Sequence, residues 1–324
     1  MEFTPKYFDP VAKGGSRNPV TGTIAFRASD NSVYVYDDEI ILAVNVALTI
    51  NRPLFVSGEP GSGKTVLAAS VAAVKSWRFY SRVITSRTHA QDLEWSFDAL
   101  RRLGDAQTSH AGQNELKPRG FYVEPGVLWW AFSPETARLR GMKEVEVPEA
   151  ARVPDPSFGK GGQEDSVVLL DEIDKAEPDV PNDLLEPLDL RQFTVEETQF
   201  EVRQEKGKVL VIITTNGERE LPPAFLRRCV SLELKPPTES WLTDIAAKRF
   251  GDGDQVLHRR IAADVMQLRQ QAKRLGLRAP STAEYLDAIR VCHELGISCD
   301  SATWKQAARA VLWKHEAEPT INPT

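Results

Sequence analysis

Apolar positions along this chain change their period once. From residue 53 to residue 234, short apolar runs alternate with stretches of helical spacing, and from residue 235 to residue 315 helical spacing alone remains. Five runs read as strands, at 53–57, 78–85, 166–172, 208–215 and 230–234. Helices are expected between them at 66–75, 90–103 and 179–190, the second with Leu93, Phe97, Leu100 and Leu103 on one face. Ahead of the first strand, Ile40, Ile41, Val44, Val46, Ala47 and Ile50 recur at helical spacing and predict a helix over 37–50. Strands joined by helices in this way build a parallel α/β sheet with right-handed crossovers.

The remaining segments are less regular. Residues 1–31 are polar, with Pro, Gly and Ser, and read as an irregular arm; 33–36 reads as a short strand or a turn. Between 104 and 162 the periodicity breaks down around one ordered island, 120–132, which is a hairpin or a strand followed by a helix. Residues 147–165 are rich in Pro and Gly and are the best candidate for a mobile loop. Phe193, Val195, Phe200 and Val202 alternate around 196–199 and predict a hairpin over 192–203, while 221–229 reads as a short helix ending in Arg227 and Arg228. Past the boundary at 235–237, four helices are expected at 239–250, 256–274, 281–295 and 301–315. The tetrad 281–284 fits a capping box, and Gly276 and Gly296 stand where helix ends favour a left-handed residue. The expected division is an arm at 1–31, an α/β domain at 32–235 with insertions near 91–132 and 142–165, a helical domain at 236–316 and a tail at 317–324.

Composition narrows the classes of function. The chain has 324 residues, 41% hydrophobic and 27% charged, with a formal net charge of -6. That is an ordinary globular balance with no global basic field to draw it to nucleic acid or anionic lipid. Residues 1–20 contain no apolar core of signal-peptide length, and the longest apolar run, 40–50, is interrupted by Asn45 and is too short to span a bilayer, so a cytoplasmic location is expected. Cys229, Cys292 and Cys299 read as buried free thiols; a metal site at Cys292, His293 and Cys299 would lack a second ligand pair.

The candidate chemistry begins at Gly58-Glu59-Pro60-Gly61-Ser62-Gly63-Lys64-Thr65, a G-x-x-x-x-G-K-T pattern set between an apolar strand and a helix. In a phosphate loop of this kind, backbone N–H groups wrap the phosphates, the lysine reaches the β and γ oxygens, the threonine hydroxyl holds Mg²⁺, and the helix dipole faces the anion. The run 166–172 is apolar and ends in two acids, so Asp171 is expected in the Mg²⁺ shell and Glu172 beside the attacking water. Asn216, at the end of the 208–215 strand, is a candidate for orienting that water or contacting the γ-phosphate, or else a cap. Tyr34 and Tyr36 are candidates for contact with an adenine ring or for packing.

With Walker A at 58–65, Walker B at 167–172, Asn216 as sensor 1 and Arg227-Arg228 before the last strand, the chain resembles an AAA+ ATPase, and within that group the MoxR branch. The more specific signs are Pro53-Leu54 ahead of the glycine loop, Asp171-Glu172-Ile173-Asp174, Leu221-Pro222 before the arginines, and Arg278-Ala279-Pro280-Ser281-Thr282. The resemblance implies a three-layer P-loop NTPase core with a parallel sheet in the order 5-1-4-3-2, a C-terminal all-α lid, and a ring, usually hexameric. It implies ATP and Mg²⁺ as cofactors, bound by Gly58, Pro60, Gly61, Ser62, Gly63, Lys64, Thr65 and Val66, with Thr65 and Asp171 on the metal. Catalysis would involve Glu172, Asn216, Arg228 as the finger reaching a neighbouring subunit (Arg227 as second choice) and Arg278 as sensor 2. The region 91–132 would hold the helix-2 insertion, and the hairpin 192–203 would face the ring axis. The client would be a protein, possibly one with a von Willebrand A domain. The family more often has Asp-Arg-Phe where this chain has Arg227-Arg228-Cys229. A nucleic-acid motor is disfavoured by the hairpin's Glu196, Glu197 and Glu201, and a nucleotide-gated switch that recruits an effector is the other reading.

Overall fold

The computed structural model describes residues 3–19, 21–30, 32–110, 116–158 and 164–315. The expected tail at 317–324 therefore lies outside the described residues, as do 159–163 of the expected mobile loop and the arm's first two residues. At its centre are five parallel strands: β1 (Leu54–Ser57), β2 (Arg78–Val83), β3 (Ser166–Asp171), β4 (Val209–Thr214) and β5 (Val230–Glu233). Their spatial order is β5-β1-β4-β3-β2, the order that the family resemblance implies. Every residue of β3 and β4 is buried, as strands covered on both faces by helices require. Alternate residues serve opposite faces. Val167 and Leu169 join the helices α1 (Asp38–Ile50) and α2 (Lys64–Lys75) in one core, and Val168 and Leu170 join Trp129, Trp130 and Leu184 in another.

Register decides what the sheet can present. Ile213 of β4 lies opposite both Phe55 of β1 and Leu170 of β3. The carboxyl ends of the three central strands therefore emerge side by side, which is where open α/β sheets place their ligands.

Beyond the sheet lie α3 (Glu239–Phe250), α4 (Gln255–Leu275), α5 (Thr282–Leu295) and α6 (Ala302–Val311), packed on Leu242, Ile261, Val265, Tyr285, Ile289 and Trp304. The Ser281–Glu284 capping box forms, and Gly276 and Gly296 take left-handed conformations at the helix ends. Among the described residues, no helix is long and apolar enough to cross a membrane.

Three expectations are corrected. The arm is not irregular: Ile24–Arg27 pairs with Ser16–Arg17 on one side and with Val33–Tyr36 on the other in an antiparallel sheet. Asn45, the polar break in the apolar run of α1, is buried and accepts the N–H groups of Lys6, Tyr7 and Phe8 on its Oδ1. Asn18, Thr21 and Thr23 donate to the carboxylate of Asp244 on α3 at 3.0, 3.1 and 3.4 Å, which ties the small sheet to the helical region. Secondly, 90–103 is not one helix. It stops at Glu94, and Trp95–Phe97 becomes a strand pairing with Val123–Pro125 before a second helix, Ala99–His110. The Trp95 ring stacks on Phe193 at 5.8 Å, so tertiary packing overrides local helical spacing, and Leu100 and Leu103 are left exposed. Thirdly, 179–190 divides into Val180–Asp183 and Leu185–Leu190; Pro187 has no N–H to continue the ladder back to Asp183. The hairpin at Gln192–Val195 and Phe200–Arg203 forms as expected.

Glu94 ends the first of those short helices. Burial, with Glu186 and Asp183 nearby, pushes its carboxyl from the usual 4.5 up to about 7. Its folded value exceeds the unfolded one, so its contribution to stability is fully present below about 4.5 and is lost as pH rises through about 7. Glu94→Gln should flatten the pH dependence of urea unfolding across that window and gain on the order of 1 kcal/mol at pH 8 after solvent screening. An unchanged slope would mean that Glu94 ionises normally.

Candidate functional site

The loop 58–63 joins β1 to α2, and three of its glycines have left-handed φ values: Gly58 at 150°, Gly61 at 77° and Gly63 at 94°. Gly61 is also closed sterically, because a Cβ there would stand 2.2 Å from the Cβ of Ser281. The loop can therefore turn tightly and bring its amides to the start of α2. Lys64, the first residue of α2, is only 6% exposed, and its Nζ donates to the carbonyls of Gly58 at 2.7 Å and Glu59 at 2.9 Å. Burial pulls its ammonium below the ordinary lysine value, opposed by the nearby Asp171, Asp174, Glu172 and Glu59.

At the end of β3, Asp171 accepts from Thr65 Oγ1 at 2.8 Å and from Thr214 Oγ1 at 2.5 Å. Thr214 in turn accepts the N–H of Glu172 at 2.9 Å. Glu172 has a left-handed backbone, with φ at 62°, a conformation that a side chain with a Cβ rarely adopts unless its surroundings impose it. Both of its carboxylate oxygens are engaged: Oε1 accepts from Asn216 Nδ2 at 3.0 Å, and Oε2 from Lys175 Nζ at 2.6 Å. Asp174 holds the loop that follows β4, accepting the N–H groups of Asn216 and Glu218 at 3.2 and 2.9 Å.

Lys64, Thr65, Asp171, Glu172 and Asn216 line a cavity of about 380 Å³ with walls from three sources. The loop and α2 supply Pro60, Gly61 and Gly63 to Val66; β3 and β4 supply Asp171, Glu172 and Asn216. The third wall combines the apolar Val33, Tyr34, Trp241, Ile245 and Leu286 with the charged Arg249, Asp287 and Arg290. Of the two tyrosines, Tyr34 lines the cavity, whereas Tyr36 points inward with its hydroxyl on Ser70. Burial raises the Tyr34 phenol well above its usual value.

The arginines are placed elsewhere. Arg227 and Arg228 lie at the entry end of the sheet, where the Arg227 carbonyl accepts from Arg52 and the N–H of Val230 bonds the Pro53 carbonyl. Arg228 Nε sits 2.6 Å from Asp189. Neither arginine is among the residues lining this chain's own cavity. Arg278 also lies outside it, paired with Glu284 at 3.1 Å; the arginines that do line it from the helical region are Arg249 and Arg290. Sequence reasoning missed Thr214, Lys175 and Trp241 as members of the site. Thr214 had a usable signal, since it is a hydroxyl ending an otherwise apolar strand two positions before Asn216. Thr214→Val should leave Asp171 and the Glu172 amide each short of a partner, lower stability by about 1–3 kcal/mol and weaken Mg²⁺-dependent ligand binding; wild-type values in urea unfolding and in a Mg²⁺ titration would remove this role.

The family described as AAA domain (dynein-related subfamily) matches over residues 53–229, more than half of the chain. Among solved structures, a RuvB mutant of Thermotoga maritima is 13% identical, covering 85% of this chain and 74% of its own, with a TM-score of 0.43. A "putative ATPase" of Cytophaga hutchinsonii is 16% identical, covering 84% and 79%, with a TM-score of 0.39. No curated protein matches significantly.

Proposed function

The chain belongs to the AAA domain family, dynein-related subfamily, and from that membership we propose that it is a Mg²⁺-dependent ATPase of MoxR type. In this reading it works as a ring of six copies in the cytoplasm and uses hydrolysis to remodel or assemble a protein partner. Residues 32–235 form the ATPase body and 236–316 its lid. The observation that supports the reading most directly is the convergence of Lys64, Thr65, Asp171, Glu172 and Asn216 on one cavity.

The donor set suits the cofactors. Thr65 Oγ1 and Asp171 Oδ2, 2.8 Å apart, form an all-oxygen pair of the kind Mg²⁺ prefers, and the left-handed glycines turn loop amides toward an anion. When bound, Mg²⁺ supplies charge neutralisation at the β and γ oxygens. Lys64 Nζ exchanges the carbonyls of Gly58 and Glu59 for phosphate oxygens. Glu172 gives up Asn216 or Lys175, accepts a proton from the attacking water, and passes it to solvent after the β–γ phosphoanhydride bond breaks; Asn216 positions that water. Arg228, released from Asp189, reaches a neighbour's γ-phosphate, with Arg227 as the second choice, a contribution typically worth ~10³–10⁵ in rate. The client is a protein, and the family resemblance suggests one carrying a von Willebrand A domain.

Glu172→Gln should retain ATP binding while turnover falls about 10²-fold or more, and Lys64→Ala should abolish binding. Native mass measurement of Glu172→Gln should give a six-fold mass that requires ATP and Mg²⁺. A monomer under every condition would leave Arg227 and Arg228 with no neighbour to reach, and unchanged turnover would remove Glu172 from its role.

A further inference from the structure

A short stretch of the arm is fixed from two sides by polar side chains. Asn45, buried in α1, accepts the N–H groups of Lys6, Tyr7 and Phe8 on its Oδ1 at 3.2, 2.9 and 3.1 Å. Lys75, the last residue of α2, donates from Nζ to the Tyr7 carbonyl at 2.7 Å. Lys208, which directly precedes β4, lies with its Nζ 4.3 Å from the centre of the Tyr7 ring. This stretch therefore sits at the amino-terminal edge of the central sheet, whereas Asp171 and Asn216 line the cavity at the carboxyl-terminal edge.

Lysines gather around Tyr7. Lys6 Nζ also lies over its ring, at 5.4 Å, and Lys75 Nζ stands 4.9 Å from the centre of Trp77. Burial pulls the Lys75 ammonium below its ordinary value, Asp165 opposes the shift, and the charges of Lys13 and Lys208 add to it. These four cations meet in a chain whose formal net charge is -6. Among the described residues none of the four forms an ion pair, whereas Lys206 pairs with Glu164 at 3.5 Å. The carboxylates at hand are engaged by backbone: Asp165 accepts the N–H of Lys208 at 2.6 Å, and Asp9 that of Val11 at 2.9 Å. Like charges held together repel, and an anion laid over them removes the repulsion.

The rings decide which anion fits. Surfaces that hold single-stranded nucleic acid stack bases on open aromatic rings. Here the Tyr7 ring already carries two ammoniums, and Trp77 is only 5% exposed, so neither ring is open to a base. The lysines also cluster about one residue, which suits a few neighbouring carboxylates better than a long phosphate backbone. We propose that Lys6, Lys13, Lys75 and Lys208, around Tyr7, form a docking surface for an acidic segment of a partner protein. The surface stands at the other edge of the sheet from the cavity and does not depend on the ATP reading.

The test is fluorescence anisotropy of a labelled oligoglutamate peptide titrated with the full chain at low salt, with urea midpoints as a check on folding. One variant combines Lys6→Ser, Lys13→Ser and Lys208→Ser, all exposed positions; Lys75 is spared because it holds Tyr7. A control removes the same charge from exposed positions elsewhere, Lys273→Ser, Lys305→Ser and Arg309→Ser. The first combination should weaken binding about ten-fold, Lys208→Ser alone about two- to three-fold, and the control should leave it nearly unchanged. Lys64→Ala should bind the peptide as the wild type does, which keeps the result separate from the nucleotide site. A wild-type chain that does not bind the peptide, or equal weakening in the cluster and control combinations, would overturn the proposal. Tighter binding of labelled oligothymidine or of phosphatidylserine vesicles, lost in the cluster combination, would also overturn it, by giving the surface to a different class of partner.

Discussion

The register between β3 and β4 is the constraint on which the rest of the structure depends. Because Ile213 lies beside Leu170, the next residue of each strand, Thr214 and Asp171, can meet through a 2.5 Å hydrogen bond. That contact fixes the Asp171 carboxylate in front of Thr65 and delivers the Thr214 hydroxyl to the Glu172 amide. A slip of one residue would turn every side chain of β4 to the opposite face. It would strip both central cores of their partners and separate the acids from the phosphate loop. Sheet stability and site geometry therefore rest on the same pairing.

The polar groups of the site are partnered by one another and by the loop backbone. Lys64 donates to loop carbonyls, Thr65 to Asp171, and Asn216 and Lys175 both to Glu172. Each of these groups is satisfied by a neighbour that a phosphate, a cation or a water can replace without leaving a buried charge exposed. Ser62 Oγ and Thr282 Oγ1 are the exceptions, buried hydroxyls with no hydrogen-bond partner among the described residues.

Much of this was legible in the residues, for identifiable reasons. The sheet order was implied by the family resemblance that the motifs carry, and the helices α4 and α5 declared their ends through Gly276, Ser281, Glu284 and Gly296. The phosphate loop and the acid pair could be read because a strand, a turn and a helix succeed one another within a few residues. What escaped depended on contacts between segments distant in the chain. Trp95–Phe97 is a strand only because Val123–Pro125 lies beside it. Asn45 looked like a flaw in an apolar helix until the amides of Lys6, Tyr7 and Phe8 arrived at its oxygen. Arg278 carried a family position, but Glu284, six residues on, decides where its charge goes.

Glu172 occupies a backbone conformation that glycine or asparagine would adopt at less cost. A residue chosen for folding alone would differ from the one present, and substituting glycine would relieve about 1 kcal/mol of strain while deleting the carboxylate at the cavity wall. This is a position where the fold's optimum and the site's optimum diverge. A search for more stable variants of this chain, guided by unfolding temperature alone, would be drawn toward residue 172 and would remove that carboxylate from the cavity as it succeeded.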